Sequence, residues 1–142
     1  MTLSERDIEF LTDNHSAAMI TVGGDGVAKA ARVGVALVDG HLWSSGTADR
    51  VRTERLRRDP RCTLFVFNPG FAWLALENSV TILEGPDAPE LNMRLFRVMQ
   101  GRPTGPLSWF GGDLDDQTFL RTMADEKRLI YEFEVHRTYG LY

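Results

Sequence analysis

The stretch Ser44-Ser-Gly-Thr-Ala-Asp-Arg-Val-Arg-Thr-Glu-Arg-Leu-Arg-Arg-Asp-Pro-Arg-Cys-Thr-Leu-Phe-Val-Phe67 decides how this chain reads. Its middle, Asp49 to Arg61, packs six arginines into thirteen residues of a chain whose net charge is −4. A polar, hydroxyl-rich run precedes the arginines, and an apolar, strand-like run follows them. Asp59-Pro60 stops the helix between, because the residue before proline is held out of the α region. Strand, small hydroxyl loop and arginine-bearing helix together suit an anion. The first N–H groups of a helix lack partners, and its dipole favours negative charge there.

On a helical wheel Arg50, Glu54, Arg57 and Arg58 gather on one side, and Arg52, Thr53 and Leu56 on the other. Leu56 is the apolar residue that faces the protein body, so Arg52 faces inward too. A desolvated, unpaired guanidinium is costly, and a cation in the first turn, as Arg50 is, opposes the dipole. Two readings of Arg52 stand at this point. Either a bound phosphate or carboxylate meets it, or it pairs with Asp49, Glu54 or a remote carboxylate.

Working outward, the rest of the chain reads as strands joined by hairpins. Ser4-Glu-Arg-Asp7 resembles a capping box and opens a short helix with Ile8 and Leu11 as its apolar face. Ala17 to Val22 and Val27 to Val38 are strands around the turn Gly23-Gly-Asp-Gly26, and Asp39-Gly40 leads into the strand His41 to Ser45. Cys62 to Phe67 is apolar on both faces, as a central strand is. Phe71 to Leu76 and Val80 to Leu83 form a strand pair. A helix begins at Pro86–Glu90 with Leu91, Leu95, Val98 and Met99 on one stripe. A loop, Gly101 to Pro106, and a third substantial helix after the short N-terminal one, Asp113 to Glu126, precede a last strand from Lys127 to Val135. Hairpins without a βαβ rhythm indicate a mainly β, antiparallel barrel with peripheral helices, as a single domain over residues 1–142. A barrel this small is filled by side chains, so ligands sit on its outer wall or between two copies.

Composition narrows the function. The chain is 43% hydrophobic and 25% charged, as a soluble globular protein is. No apolar run approaches the roughly 20 residues of a membrane span, and the polar N-terminus is unlike a secretory signal. The single cysteine, Cys62, reads as a buried, inert thiol. These features fit the cytoplasm. The basic residues are 14 arginines and two lysines. The acidic balance argues against general nucleic-acid binding. His15, His41 and His136 have no metal-ligand spacing, so no metal site is expected. Ser44 and Ser45 lack a nucleophile elbow, and Asp113, Asp115 and Asp116 read as helix-start chemistry. No residue is singled out as catalytic. That pattern suits a protein whose chemistry is done by a redox cofactor.

The N-terminal helix, the Gly23–Gly26 hairpin, the segment Arg50 to Arg61 and the ending Val135-His-Arg-Thr-Tyr-Gly140 together resemble the flavin/deazaflavin oxidoreductase superfamily. These are the pyridoxamine 5′-phosphate oxidase-like (FMN-binding) split β-barrel proteins. The resemblance is strongest to the actinobacterial branch that uses the deazaflavin coenzyme F420, and it spans nearly the whole chain. It implies a homodimer with two cofactor sites at the subunit interface. It places Ser44, Ser45, Thr47, Arg50, Arg52 and Thr53 at the cofactor phosphate, and Ala31-Arg32-Val33 beside the tricyclic ring. Trp73 would reach the site from the partner subunit, and Arg55 or Arg58 would meet the coenzyme's acidic oligoglutamate tail. The implied activity is hydride transfer from reduced F420 to an unsaturated small-molecule acceptor. An FMN-dependent flavin reductase or pyridoxamine-phosphate-oxidase-like protein, and a cofactor-binding protein without turnover, are the alternatives. Arg52 stands where lysine is common in the family, Arg55 where asparagine is common, and Arg32 adds a bulky charge to the ring-facing strand.

Overall fold

The computed structural model describes residues 3–142; Met1 and Thr2, part of the N-terminal stretch read above, lie outside the described residues. The chain runs α1 (Glu5–Asp13), β1 (Ser16–Val22), β2 (Ala28–Val38), β3 (His41–Thr47), α2 (Val51–Arg58), β4 (Arg61–Phe67), β5 (Trp73–Leu83), α3 (Ala88–Gln100), β6 (Leu107–Trp109), β7 (Gly112–Leu114), α4 (Asp116–Asp125) and β8 (Arg128–Leu141). Six strands close into an antiparallel barrel in the order β1-β2-β3-β8-β5-β4, while β6 and β7 form a separate hairpin. None of the described helices is long and apolar enough to cross a membrane.

Strand alternation explains the barrel's filling. Ala17 and Met19 of β1, Val33 and Val35 of β2, Leu64 and Val66 of β4, and Leu74 and Leu76 of β5 share one buried core with Tyr131 and Phe133 of β8. The two helices next in sequence to β1 and β3 supply further core residues. From α1 come Phe10 and Leu11, and from α2 comes Leu56. The expected capping box is present. Asp7 N–H donates to Ser4 Oγ (3.1 Å), and Ser4 N–H donates to Asp7 Oδ2 (3.0 Å). The buried face of α1 is Phe10 and Leu11, however, and Ile8 is exposed. A second layer covers one side of the barrel: Leu95 of α3 packs on Ala36, Val38, Trp43 and Ile130. Val98, assigned to the same stripe from sequence, is exposed.

Four boundaries differ from expectation. The hydroxyl-rich run before the arginines is not a loop: Ser44 to Thr47 are the end of β3. The expected strand pair after Asn68 is one strand, β5, which passes through Glu77-Asn78-Ser79 with a register shift against β8 between Glu77 and Asn78. That bulge leaves carbonyls in need of donors, and the buried Asn78 amide supplies them to Leu76 (2.9 Å) and Cys62 (3.3 Å). Finally, Gly112 to Leu114 is strand rather than helix, and α4 starts at Asp116, where the Asp115 carboxylate accepts from Thr118 N–H at 2.8 Å. β8 also continues past Val135 to Leu141, pairing first with β3 and then with β5.

Cys62 is buried, and desolvation pushes its thiol pKa up to about 12. It is therefore expected to resist a thiol reagent such as DTNB at pH 8 and to react stoichiometrically once the protein is denatured. Labelling of the native protein at the rate of a free thiol would contradict this burial.

Candidate functional site

The arginine segment and the outer wall of the barrel meet at a cavity of about 240 Å³ lined by Arg32, Val33, Gly34, Ser45, Arg50, Arg52, Phe96, Met99 and Arg128. Four arginines and no carboxylate form its lining. β2 contributes Arg32 to Gly34, β3 contributes Ser45, α2 and its N-cap contribute Arg50 and Arg52, α3 contributes Phe96 and Met99, and β8 opens with Arg128. Five residues named from sequence and family likeness therefore come together: Arg32, Val33, Ser45, Arg50 and Arg52.

The wheel's division separates Arg52 from Arg57 and Arg58 as expected but fails for Arg50, which lines the cavity beside Arg52, and each guanidinium has a distinct environment. Thr53 and Leu56 are buried, while Glu54, Arg57 and Arg58 are exposed. Arg57 forks onto Glu84 at 2.8 and 3.2 Å, and this pairing raises its pKa. Arg61 pairs with Asp59, whose carboxyl the Arg61 hydrogen bonds hold at about 2. Arg55 donates to the buried Thr21 hydroxyl at 2.9 Å. Arg128 is neutralised by Glu126 at 2.8 Å and lies 5.0 Å from the centre of the Trp109 ring. Arg52 differs from all of these. It is half-buried, its guanidinium lies 5.7 Å from the centre of the Tyr131 ring, and its Nε is buried with no hydrogen-bond partner. Neither Asp49 nor Glu54 pairs with it. Asp49 sits 3.4 Å from Lys127 instead. Among the described residues Arg32, Arg50 and Arg52 make no ion pair. Of the two readings of Arg52, the internal ion pair is removed.

Arg50 is the N-cap of α2, not a residue of its first turn, and its side chain makes no cap hydrogen bond. The start of the helix thus keeps its unsatisfied N–H groups beside guanidinium groups that lack anions.

The remaining named residues sit elsewhere, for reasons of strand alternation. Ser45 faces outward and donates to Asn92 Oδ1 of α3 at 2.6 Å. Its neighbour Ser44 faces the barrel interior, is fully buried, and donates to the Gly34 carbonyl at 2.7 Å. The Thr53 hydroxyl is likewise buried: it donates to the Thr47 carbonyl at 2.7 Å and lies 2.5 Å from the Tyr131 hydroxyl. Within this chain Ser44 and Thr53 act as struts, which hold the Gly34 wall and the α2 start in place. Thr47 and Ala31 are half-buried beside the cavity lining without being part of it. Trp73 lies away from the cavity of its own chain, stacked on Phe65 at 5.1 Å and edge-on to Tyr139 at 6.1 Å.

Sequence reasoning missed Gly34, Phe96, Met99 and Arg128. Phe96 and Met99 follow one another at helical spacing in α3, but an amphipathic stripe does not say which end of it borders a ligand. Gly34 allows a close approach: a Cβ there would lie 2.9 Å from Met99 Sδ, so the methionine side chain would have to shift.

No family model matches the chain, and no curated protein matches it. Solved structures do. A conserved hypothetical protein of Mycobacterium tuberculosis superposes with a TM-score of 0.73 at 24% identity, covering 99% of this chain and 86% of that one. An F420 reductase superposes with a TM-score of 0.67 at 17% identity over 96% of this chain and 98% of its own. A candidate pyridoxamine 5′-phosphate oxidase from Listeria innocua gives 0.65 at 15% identity, over 96% of each chain. With its closed six-stranded antiparallel barrel and these matches over nearly its full length, the chain has the pyridoxamine 5′-phosphate oxidase-like split β-barrel fold.

Proposed function

We propose that this chain is an oxidoreductase that holds the phosphate of a flavin-type cofactor in the arginine cavity, and that the cofactor is F420. The observation that carries the reading is Arg52. It has a buried, unpartnered Nε in a cavity lined by four arginines and no carboxylate. Such a donor set fits a phosphate, which accepts several charge-assisted hydrogen bonds at once. When bound, the reduced cofactor supplies a hydride; the protein supplies binding, orientation and exclusion of water. The acceptor gains that hydride and a solvent proton, so that a C=C π bond is replaced by two C–H bonds while the cofactor loses two electrons.

The cavity's size supports the homodimer. At about 240 Å³ it falls below the roughly 300–1,000 Å³ of a complete ligand site, so one chain encloses the phosphate end alone. The outward faces of β4, β5 and β8 carry Phe65, Phe67, Trp73 and Tyr139, an aromatic wall that a second subunit would cover. Arg58, exposed and without an ion pair among the described residues, is free to meet an acidic tail, which favours F420 over FMN.

Fluorescence titration of the purified protein with F420 and with FMN tests the reading. Micromolar F420 binding is expected. Micromolar FMN binding with no response to F420 would transfer the site to FMN, and silence toward both would remove the proposal. Tight binding with no reduction of a quinone, enone and tetrapyrrole panel would favour a binding protein without turnover.

A further inference from the structure

Arg32 is one guanidinium more than a single phosphate needs. The cavity already offers Arg50 and Arg52 from α2, both free of ion pairs, beside the helix start. Arg32 comes from a different element. It sits in the middle of β2, exposed, on the strand's outer face, directly opposite Ala18 of β1. Its neighbours on that face are Ala30 and Gly34, and the next outward residue across β1 is Ile20. Charged residues on exposed strands are ordinarily offset by an opposite charge across the ladder. Here no carboxylate stands within reach, and the small side chains around Arg32 leave a shallow floor. Among the described residues Arg32 makes no ion pair.

An aromatic shelf borders the same cavity. Phe96, part of the lining, is edge-on to Trp109 at 5.1 Å, and Trp109 is edge-on to Phe110 at 5.1 Å. Phe110 forms the tip of the β6–β7 hairpin, has φ of 48°, and is 87% exposed. A phenylalanine in the left-handed region carries a backbone cost, and this one presents most of its ring to solvent. Phe96 thus joins the cationic floor to this aromatic shelf.

Resting on the cofactor reading above, we propose that the acceptor is a planar, apolar-bodied molecule bearing a conjugated carboxylate. Arg32 takes the carboxylate, and the Phe96–Trp109–Phe110 shelf takes the body. The chemistry agrees with the placement. When a hydride adds to the β-carbon of an α,β-unsaturated acid, the π electrons move onto the carboxylate oxygens, and a solvent proton then completes the α C–H bond. A guanidinium already bound to those oxygens stabilises the charge as it develops. An ester of the same acid offers no such anion.

Calorimetric titration of the cofactor-loaded protein with cinnamate and with methyl cinnamate is the test, with cofactor affinity measured in parallel for each variant. Wild type should bind cinnamate at least tenfold more tightly than the ester. Arg32→Gln should erase that preference and Arg32→Lys should keep part of it. Phe110→Ala should weaken both ligands by a similar factor. Equal affinity of wild type for acid and ester overturns the inference, as does a preference that survives Arg32→Gln. A loss of cofactor affinity in Arg32→Gln as large as its loss of acid binding also overturns it, because Arg32 would then serve the cofactor. Wild-type protein that binds neither F420 nor FMN removes the parent reading and this one together. Cofactor binding without acid discrimination removes this one alone.

Discussion

Arg52→Ala is expected to weaken binding of the phosphate-bearing cofactor by about 1.5–3 kcal/mol, roughly 10- to 150-fold in Kd. The range is that of hydrogen bonds to a charged group. It applies because the buried Arg52 Nε has no partner within the protein. The substitution removes a desolvated charge, so it should also leave the unliganded protein as stable as wild type or more so. Arg57→Ala is the control. That guanidinium is exposed and already spent on Glu84, so its loss should change cofactor affinity by about 0.5 kcal/mol or less and cost the fold little more. Fluorescence titration of both variants decides the matter. Equal effects would mean that the two sides of α2 do not differ as the structure has them.

Gly46→Ala should be the most damaging small substitution near the site. Gly46 faces into the barrel from β3, and a Cβ there would lie 2.3 Å from Tyr131 Cζ, 2.5 Å from its hydroxyl and 2.6 Å from Cε2. Tyr131 is fully buried, and its hydroxyl is engaged with Thr53, so the ring has no room to swing aside. Overpacking of this kind costs about 1–3 kcal/mol and occasionally more. Urea denaturation should show a lowered midpoint at nearly constant slope. Adding Tyr131→Leu should relieve the clash, making the double variant more stable than the sum of the two single losses implies. Strict additivity would show that the two residues do not touch. Because Thr53 ties Tyr131 to the Thr47 carbonyl beside the start of α2, Gly46→Ala should also loosen cofactor binding. The core and the start of α2 are linked through that threonine.

How much was readable from the chain depended on distance. The capping box at Ser4 and Asp7, the hairpin turns and the two-sided α2 were legible because their determinants lie within a few residues of each other. The inward placement of Arg52 followed from its spacing to Leu56 alone. The resemblance groups Ser44 with Ser45 at the phosphate, whereas strand alternation sends Ser44 inward and Ser45 outward. The unity of β5 was hidden because Glu77-Asn78-Ser79 is polar, and the register shift that accommodates it needs β8 as partner. The short β6–β7 hairpin carries little pattern of its own. It is held by packing of Trp109 and Leu107 against α3 and α4.

By itself, the sequence determined that the barrel is antiparallel and filled, and that one face of the arginine helix turns inward. Hydrophobic period, turn residues and helical spacing are local quantities. Only the tertiary structure decided that Arg52 has no carboxylate to meet, and that Arg32 and Arg128 join it from distant strands. It also decided that the Thr53 hydroxyl meets Tyr131, seventy-eight residues on in the chain. Whether a charge is paired depends on every residue that folding brings within a few ångströms, and most of those are remote in the chain.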